Sequence, residues 1–444
     1  MKIKNLILVL VFIVTGYANI FAQKQLSLNK AIEIVLNSNV NIVKSETSLK
    51  TYESSLKSAY GNLIPSLSAS AGFSWQRTID DGGKKQLDYF GNETITPASS
   101  TDSRNYSLSL GGNVTLFDGL ANISTIDMRK NNLDAAKLDL SKLKQDAILQ
   151  TVNLYAAVIG DQKLLKFQEE NLNYNKGLLD KINEMFKLKM IPQADVYAQQ
   201  VQKANAELAF LQAQNNLEKA KMSLLNYLSI DVTEDYTFEE ATDTVVDTSL
   251  AQESLDVLYQ TAYENRDDYA SMKLQLASAD NQLTIARGSY FPQLSGNYGF
   301  STSATSASDL FTRRGFNAGL SLNFPIFSHW STDNAVQSAE VQIDNTNQDL
   351  LALERTVKSD VKNAFLDLQT VRKQLDVSKI ALNSAKENWQ IKKQAYELGA
   401  TTLLDLQQSY NDYLNAGYTE INTEYNYLIK QYQLLNVTGK LNGE

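Results

Sequence analysis

The chain of 444 residues contains no cysteine and a single histidine, His329. Without cysteine there can be no disulfide, thiolate nucleophile, Cys-ligated zinc or lipoprotein acylation site. One histidine leaves a His-based metal site or a catalytic triad short of parts. Proline (5) and glycine (20) are scarce for this length, which favours long uninterrupted elements. Positive charge is also in deficit: 41 Lys and Arg against 50 Asp and Glu give a formal charge of −9. That balance argues against a nucleic-acid partner. No run of about 18 apolar residues, the signature of a membrane-spanning helix, is found.

What is present begins with an export signal. Lys2 and Lys4 form a basic stretch and Leu6 to Val14 an apolar one, with Ile20-Phe21-Ala22 as a cleavage site before Gln23. The apolar stretch is too short for an anchor. Removing it with both lysines takes the formal charge from −9 to −11.

The body of the chain is one unit written twice. A shift of 210 pairs Phe117 with Phe327, Tyr155 with Phe365, Phe186 with Tyr396 and Asp195 with Asp405. It also pairs Leu224-Leu225-Asn226 with Leu434-Leu435-Asn436. A shift of 227 pairs Ser27-Leu28 with Ser254-Leu255 and Pro65 with Pro292, so the first copy carries the longer loop.

Each copy switches between two hydrophobic periods. Leu67, Ala69, Ala71, Phe73 and Trp75 alternate with Ser and Gly, and Tyr106, Leu108, Leu110, Val114 and Leu116 form the return strand. In the second copy Leu294, Tyr298 and Phe300 are followed by Phe316, Leu320, Leu322 and Phe324. Strands that are apolar on one face and small-polar on the other match a transmembrane β-barrel. The remaining apolar residues fall seven apart. Ile126, Leu133, Leu140, Ala147 and Leu154 step by four to Val158, Leu165, Leu172, Leu179 and Phe186. Val336 to Ala364 and Leu368 to Tyr396 repeat this. Such a spine packs as a coiled coil, and the four-residue step locally unwinds it.

The expected organisation is a signal peptide (1–22) and a first repeat (23–229) with a β-hairpin at about 63–117 and a helical hairpin at about 120–228. An acidic connector (230–253) leads to a second repeat (254–439) with a β-hairpin at about 291–327 and a helical hairpin at about 330–438, then a short tail (440–444). One helix is expected from about Ser27 to Tyr60, and the connector reads as a solvated belt around the helices, structural and not a binding site. The aromatics Trp75, Tyr290, Phe291, Phe327 and Trp330 suit interfacial girdles, and Tyr418, Tyr425 and Tyr432 suit core packing. Four strands cannot close a barrel, and an open edge in lipid is costly, so closure must occur between subunits.

The paired hairpins, Pro65 and Pro292, and Tyr396-Glu397-Leu398-Gly399 followed by Thr401 to Asp405 resemble TolC-like outer-membrane efflux proteins, the outer membrane factor family. The resemblance covers essentially the whole mature chain. It implies an α+β membrane protein in which three subunits share a twelve-stranded β-barrel continued by an α-barrel of helical hairpins. It implies a passive exit duct of a tripartite efflux or type I secretion system in the outer membrane of a Gram-negative bacterium, with its helical tunnel in the periplasm. Its partners would be two further copies, outer-membrane lipid, a periplasmic adaptor (membrane fusion protein) and an inner-membrane pump. No nucleic acid, cofactor, metal or catalytic residue is implied.

By the same resemblance, the gate lies at the tips of the helical hairpins. Asp405 matches a ring of acids at the constriction and Tyr396 a tyrosine of the closed-state network. Gln408 stands where a second acid would be expected, and Thr401 where a gating arginine would be. Asp195 and Phe186 are the first-copy counterparts of Asp405 and Tyr396. The adaptor would meet the turns Lys189-Met190-Ile191-Pro192 and Gly399-Ala400 with Thr402. Simpler readings stand beside these: an acid in the first turn of a helix favours its dipole, and a tyrosine ending a heptad spine packs. An extended coiled-coil structural or adhesin envelope protein would explain the heptads but not the hairpins. A hydrolase would need clustered acids and bases, which the sequence does not offer.

Overall fold

The computed structural model describes residues 24–239 and 253–441. The export signal, part of the connector and the end of the tail lie outside them. In chain order the elements are β1 (Lys24–Leu26), α1 (Leu28–Ser38), α2 (Val40–Gly61), β2 (Ser68–Asp80), β3 (Lys85–Leu87), β4 (Glu93–Ile95) and β5 (Ser99–Phe117). The helical hairpin α3 (Ala121–Lys187) and α4 (Gln193–Tyr227) follows, then β6 (Tyr236–Phe238). The second copy supplies α5 (Leu255–Asn265), α6 (Asp267–Gly288), β7 (Gln293–Ala304), β8 (Gly315–Asn323), α7 (Ser331–Glu397) and α8 (Leu403–Val437). Both long helices have 67 residues and both return helices 35, each pair offset by the same 210. No described helix is long and apolar enough to cross a membrane.

Two compact units cut across the repeats. One holds Ser48–Lys137 and Ala270–Leu351; the other holds the described residues up to Thr47, Leu138–Tyr269 and those from Ala352 onward.

The first unit carries an antiparallel sheet in the order β2-β5-β7-β8. Opposite residues share a face, so register sorts the side chains. Ala69 pairs with Leu110, Ala71 with Leu108 and Phe73 with Tyr106, whose rings lie 4.8 Å apart. Ser70 pairs with Ser109, their hydroxyl oxygens 2.6 Å apart, on the other face. Phe300 meets Phe316 across β7 and β8 at 5.1 Å. The apolar face is exposed, with Phe73 at 60%, Phe316 at 80% and Leu320 at 73%. A small hairpin, β3 with β4, occupies the longer first-copy loop and was not foreseen from its sequence.

The second unit holds most of the helical spine. Leu140, Ala147, Val158 and Leu172 of α3 are buried, as are Val357, Ala364, Leu368 and Leu375 of α7. Val357, Val361, Ala364 and Leu368 pack with Leu258 and Ala262 of α5 and Leu434 of α8.

Three expectations need correction. The helix expected from Ser27 to Tyr60 is two helices broken at Asn39, which adopts an extended backbone. Its side chain accepts from Asn41 N (2.9 Å) and donates to Tyr227 O (3.4 Å), compensating the lost helical bonds. The described part of the connector is not merely solvated: β6 pairs in parallel with β1, and Phe238 is buried against Tyr155. The Tyr155 hydroxyl lies 2.8 Å from Leu26 O and 2.7 Å from Glu239 O, pinning both strands, and burial pushes its phenol up to about 12. Finally, Phe186, the last residue of the first spine, is exposed in the chain.

The second copy breaks at the matching residue, Arg266, whose side chain is 7% exposed. Its guanidinium reaches Asp268 (2.7 and 3.0 Å) and Asp360 (3.2 Å). Burial raises the Asp268 carboxyl, but bonding and charge from Arg266 outweigh it and leave the group below its ordinary value. Arg266→Met strands two partly wet carboxylates and is expected to cost about 2–3 kcal/mol, below the range for fully buried pairs. A depressed carboxylate stabilises above its unfolded pKa, and that contribution fades as pH falls through the folded value. The thermal gap between wild type and variant should therefore hold from neutral pH to about 4 and narrow below it. A gap that narrows between pH 7 and 5 would contradict this assignment.

Candidate functional site

The two helical-hairpin turns are built on one backbone plan. After α3, Lys189 N donates to Phe186 O (2.8 Å) and Met190 N to Met185 O (2.9 Å). After α7, Gly399 N donates to Tyr396 O (3.1 Å) and Ala400 N to Ala395 O (2.8 Å). This double closure needs a left-handed residue at its centre. Gly399 takes it freely at φ 70°, whereas Lys189 takes it at φ 57° with a side chain in place.

The return helices start differently. Pro192 caps α4 without a side-chain bond, and Asp195 sits in the first turn. Thr402 caps α8 in a capping box: Asp405 N donates to Thr402 Oγ1 (3.1 Å), while Thr402 N and Oγ1 donate to Asp405 Oδ2 (3.3 and 2.8 Å). Thr401 Oγ1 adds a bond to the same oxygen at 3.0 Å. The hydroxyl of Thr402, then that of Thr401, hold the Asp405 carboxyl below its ordinary value. Asp405 is thus a helix starter in this chain, as the simpler reading has it, and its Oδ1 takes no part in the cap. Gln408 points along its own helix, donating to Asp412 Oδ1 at 3.0 Å.

Behind the turns, Ile182, Val196, Tyr396, Leu403 and Leu406 form one buried cluster, with Ile191 and Trp389 against it. Tyr396 is 8% exposed and its hydroxyl has no hydrogen-bond partner among the described residues. Burial, then the charge of Asp195, raises its phenol. Pro192, Gly399, Ala400 and Thr402 are exposed. Around them Leu188 (70%), Met190 (66%), Leu398 (85%) and Leu404 (73%) turn apolar side chains outward.

A polar chain that heptad reading passes over runs beside this cluster. Gln407 Nε2 donates to Gln199 Oε1 (2.9 Å), and Gln199 Nε2 to Asn175 Oδ1 (2.9 Å). Asn175 donates to Asn171 Oδ1 (2.8 Å), Asn171 to Gln168 Oε1 (3.1 Å), and Gln168 to the Tyr418 hydroxyl (2.5 Å). Gln199, Asn175, Asn171 and Gln168 are all buried. The chain leaves α8 at Gln407, crosses α4 and α3, and returns to α8 at Tyr418. At the shift of 210 the second copy has Ser409, Ala385, Ala381 and Ser378, whose two hydroxyls bond their own helices. Four amides at buried helical positions were the available signal in the sequence.

Aromatic rings pack alongside. Trp389 stacks on Tyr413 (5.1 Å), Tyr174 lies 4.1 Å from Tyr410, and Phe167 meets Tyr418 edge-on at 5.4 Å. Gly417 makes room for Phe167, whose ring would stand 2.4 Å from an added Cβ. Among the described residues no acid or histidine cluster could hold a metal ion.

Residues 31–228 and 258–440 match the family model described as outer membrane efflux protein. The chain is 22% identical over 368 residues to the outer membrane protein TolC of Escherichia coli, covering 80% of this chain and 73% of that protein. It is 22% identical over 357 residues to the pyoverdine export outer membrane protein OpmQ of Pseudomonas aeruginosa, covering 78% and 71%. The fold is similar to the CmeC outer membrane channel of Campylobacter jejuni, with a TM-score of 0.80, 17% identity, and coverage of 93% of this chain and 85% of that one. It is also similar to the open state of the MtrE outer membrane channel of Neisseria gonorrhoeae, with a TM-score of 0.76, 16% identity, and coverage of 94% and 90%.

Gln199 is the driest member of the amide chain, fully buried, whereas Gln407 at its end is partly exposed. Gln199→Leu leaves the Asn175 amide oxygen stranded and is expected to cost about 2 kcal/mol, clearly more than Gln407→Leu. Thermal denaturation of the detergent-solubilised protein measures both; equal losses would mean the chain is not a connected network.

Proposed function

The chain belongs to the outer membrane efflux protein family, and on that footing we propose that three copies close one barrel and form a passive duct gated at the hairpin tips. That it resides in the outer membrane and serves efflux follows from the family. The assembly is supported above all by the sheet: its outer strands, β2 and β8, each have one edge without a partner in the sheet. Four strands are too few to curl shut, so each β8 would pair with the β2 of a neighbour. Tyr197, Val201 and Leu208 of α4 and Val377, Ile380 and Ile391 of α7 are exposed apolar residues suited to packing against adjacent copies.

In this reading Ser, Asn and Gly line a wet barrel and the helices continue the duct. The residues around the turns, from Lys189 to Pro192 and from Gly399 to Thr402, would receive the periplasmic adaptor. Leu188, Met190, Leu398 and Leu404 offer it exposed apolar surface. An inner-membrane pump would drive substrate through the adaptor into the duct. Asp405 would contribute the acid of the constriction through Oδ1, the oxygen its cap leaves free, with Asp195 as a weaker first-copy counterpart. Tyr396, Phe186, Gln408 and Thr401 would line or support the gate.

Two measurements test this. The chain has no cysteine of its own, so single cysteines introduced along β2 and β8 report pairing without background. Disulfides between β2 and β8 should give covalent trimers; crosslinks confined to one chain, or a monomer in detergent, would refute the shared barrel. For the gate, Asp405→Asn keeps an oxygen for the cap while removing the charge, so single-channel recordings should show reduced cation preference. Unchanged preference with an intact trimer would remove Asp405 from the constriction.

A further inference from the structure

The sheet carries charge at one end only. Ser68–Gln76, Asn105–Phe117 and the whole of β7 and β8 contain no charged side chain. The charges within the strands are Arg77 and Asp80 of β2 and Asp102 and Arg104 of β5, all beside the hairpin loop. Register assigns each to a face. Trp75 stands opposite Arg104 and Arg77 opposite Asp102, two steps beyond the pair Phe73 and Tyr106. Arg77, Asp102 and Arg104 therefore lie on the apolar face, whereas Asp80 alternates onto the face of Ser70, Gly72 and Ser74.

On that apolar face the charges do not balance. Arg77 and Asp102 neutralise each other through two bonds, Nε to Oδ1 at 3.0 Å and Nη2 to Oδ2 at 3.2 Å. Arg104 is exposed, and its side chain has no hydrogen bond or ion pair among the described residues. In the second hairpin Arg313 and Arg314 immediately precede β8, and their exposed side chains are unpaired in the same sense. At the opposite end of β5 the first charged residue is Asp118, whose carboxylate accepts from Asn122 N at 2.9 Å at the start of α3. Unpaired positive charge is thus confined to the loop end, next to the aromatic residues Trp75, Tyr106 and Phe316.

A guanidinium one step past a band of aromatic side chains on a lipid-facing surface stands at headgroup level, not among acyl chains. Phosphate is the headgroup anion its planar fork fits in two bonds. Resting on the reading that the strands cross the outer membrane with their loops outward, we propose that Arg104, with Arg313 and Arg314, binds the phosphate groups of the anionic glycolipid of the outer leaflet. A lipid is favoured over a solvent anion because the same-face pairs below Trp75 and Arg104, Phe73 with Tyr106, Ala71 with Leu108 and Ala69 with Leu110, are all apolar or aromatic. A ligand held at Arg104 can lay its acyl chains along them. A soluble anion would gain nothing from that surface.

The test uses the intact trimer in detergent, with native mass spectrometry counting bound lipid. The probes are a bisphosphorylated glycolipid, its dephosphorylated form and inorganic phosphate. Wild type should bind the phosphorylated lipid about tenfold more tightly than the dephosphorylated one, on the order expected for a few basic residues at a membrane surface. The triple variant Arg104→Gln, Arg313→Gln, Arg314→Gln should lose that preference, and Arg104→Lys should retain part of it. Wild-type preference in the triple variant would overturn the proposal, as would displacement of lipid by inorganic phosphate at comparable concentration. If the triple variant fails to assemble, Arg104→Gln alone carries the comparison against Arg104→Lys. Failure of the wild-type chain to form trimers or enter vesicles is a separate outcome, and it would count against the channel reading itself.

Discussion

Along the outer edges of β2 and β8, backbone donors and acceptors point away from the sheet with no strand partner among the described residues. In hydrocarbon each such group costs several kcal/mol. Soluble proteins blunt their edge strands with charge, proline or a covering loop, and β8 has none of these: it is Gly-Phe-Asn-Ala-Gly-Leu-Ser-Leu-Asn, without charge or proline. An edge of that composition is designed to be paired. The exposed face beside it carries Phe316, Leu320 and Leu322, which water would penalise as lipid would penalise the edge. The two penalties would have a common remedy in a barrel closed within a membrane, which a four-stranded sheet is too small to complete alone.

Duplication reproduced the backbone more faithfully than the side chains. Gly119 and Leu120 precede α3 with positive φ, and His329 and Trp330 do so before α7. Lys189 matches Gly399, and Ser229 matches Gly439, again with positive φ throughout. Non-glycine residues in this region carry strain of about 1–2 kcal/mol each, yet five of them hold the same conformation as their counterparts in the other copy. The junctions are therefore imposed by the packing of the long elements they join, not chosen by local preference. Side chains then diverged on this fixed frame: Tyr155 anchors two strands where Phe365 has no hydroxyl, and Arg266 recruits two acids where Asn39 bonds only backbone.

The parts of the fold legible in the sequence are those governed by period. The four sheet strands fall on the alternating stretches, and the two long helices carry the heptad spine. Where a single polar residue overrides a pattern, the sequence was silent. Asn39 breaks a helix without proline or glycine because its side chain replaces the lost bonds, and nothing local announces Tyr227 as the partner. Three-residue strands such as β1 and β6 are too short for any period to register. At the tips, the acid and the turn residues were visible by position. The cap that engages Asp405 is local, made by Thr402 and Thr401, whereas the buried orphan hydroxyl of Tyr396 depends on packing against Ile182 and Val196, remote in the chain.

The amide chain settles a question that the heptads leave open. An apolar spine repeating every seven residues is nearly indifferent to sliding by one repeat, because each register buries similar side chains. Buried amides are not indifferent. Gln407 and Tyr418 lie eleven residues apart on α8 and bracket a fixed path through Gln199, Asn175, Asn171 and Gln168. Shifting α8 by one heptad would place Leu414 where Gln407 now meets Gln199, stranding buried polar groups at a cost of a few kcal/mol. Aromatic stacking at Trp389 and Tyr413 supplies adhesion between the same helices without selecting a register as sharply. Burial thus holds the two hairpins together, while hydrogen bonds decide where along each other they stop. Because the second copy replaces the same positions with alanine and serine, that decision is made once per chain, on the side of the first hairpin.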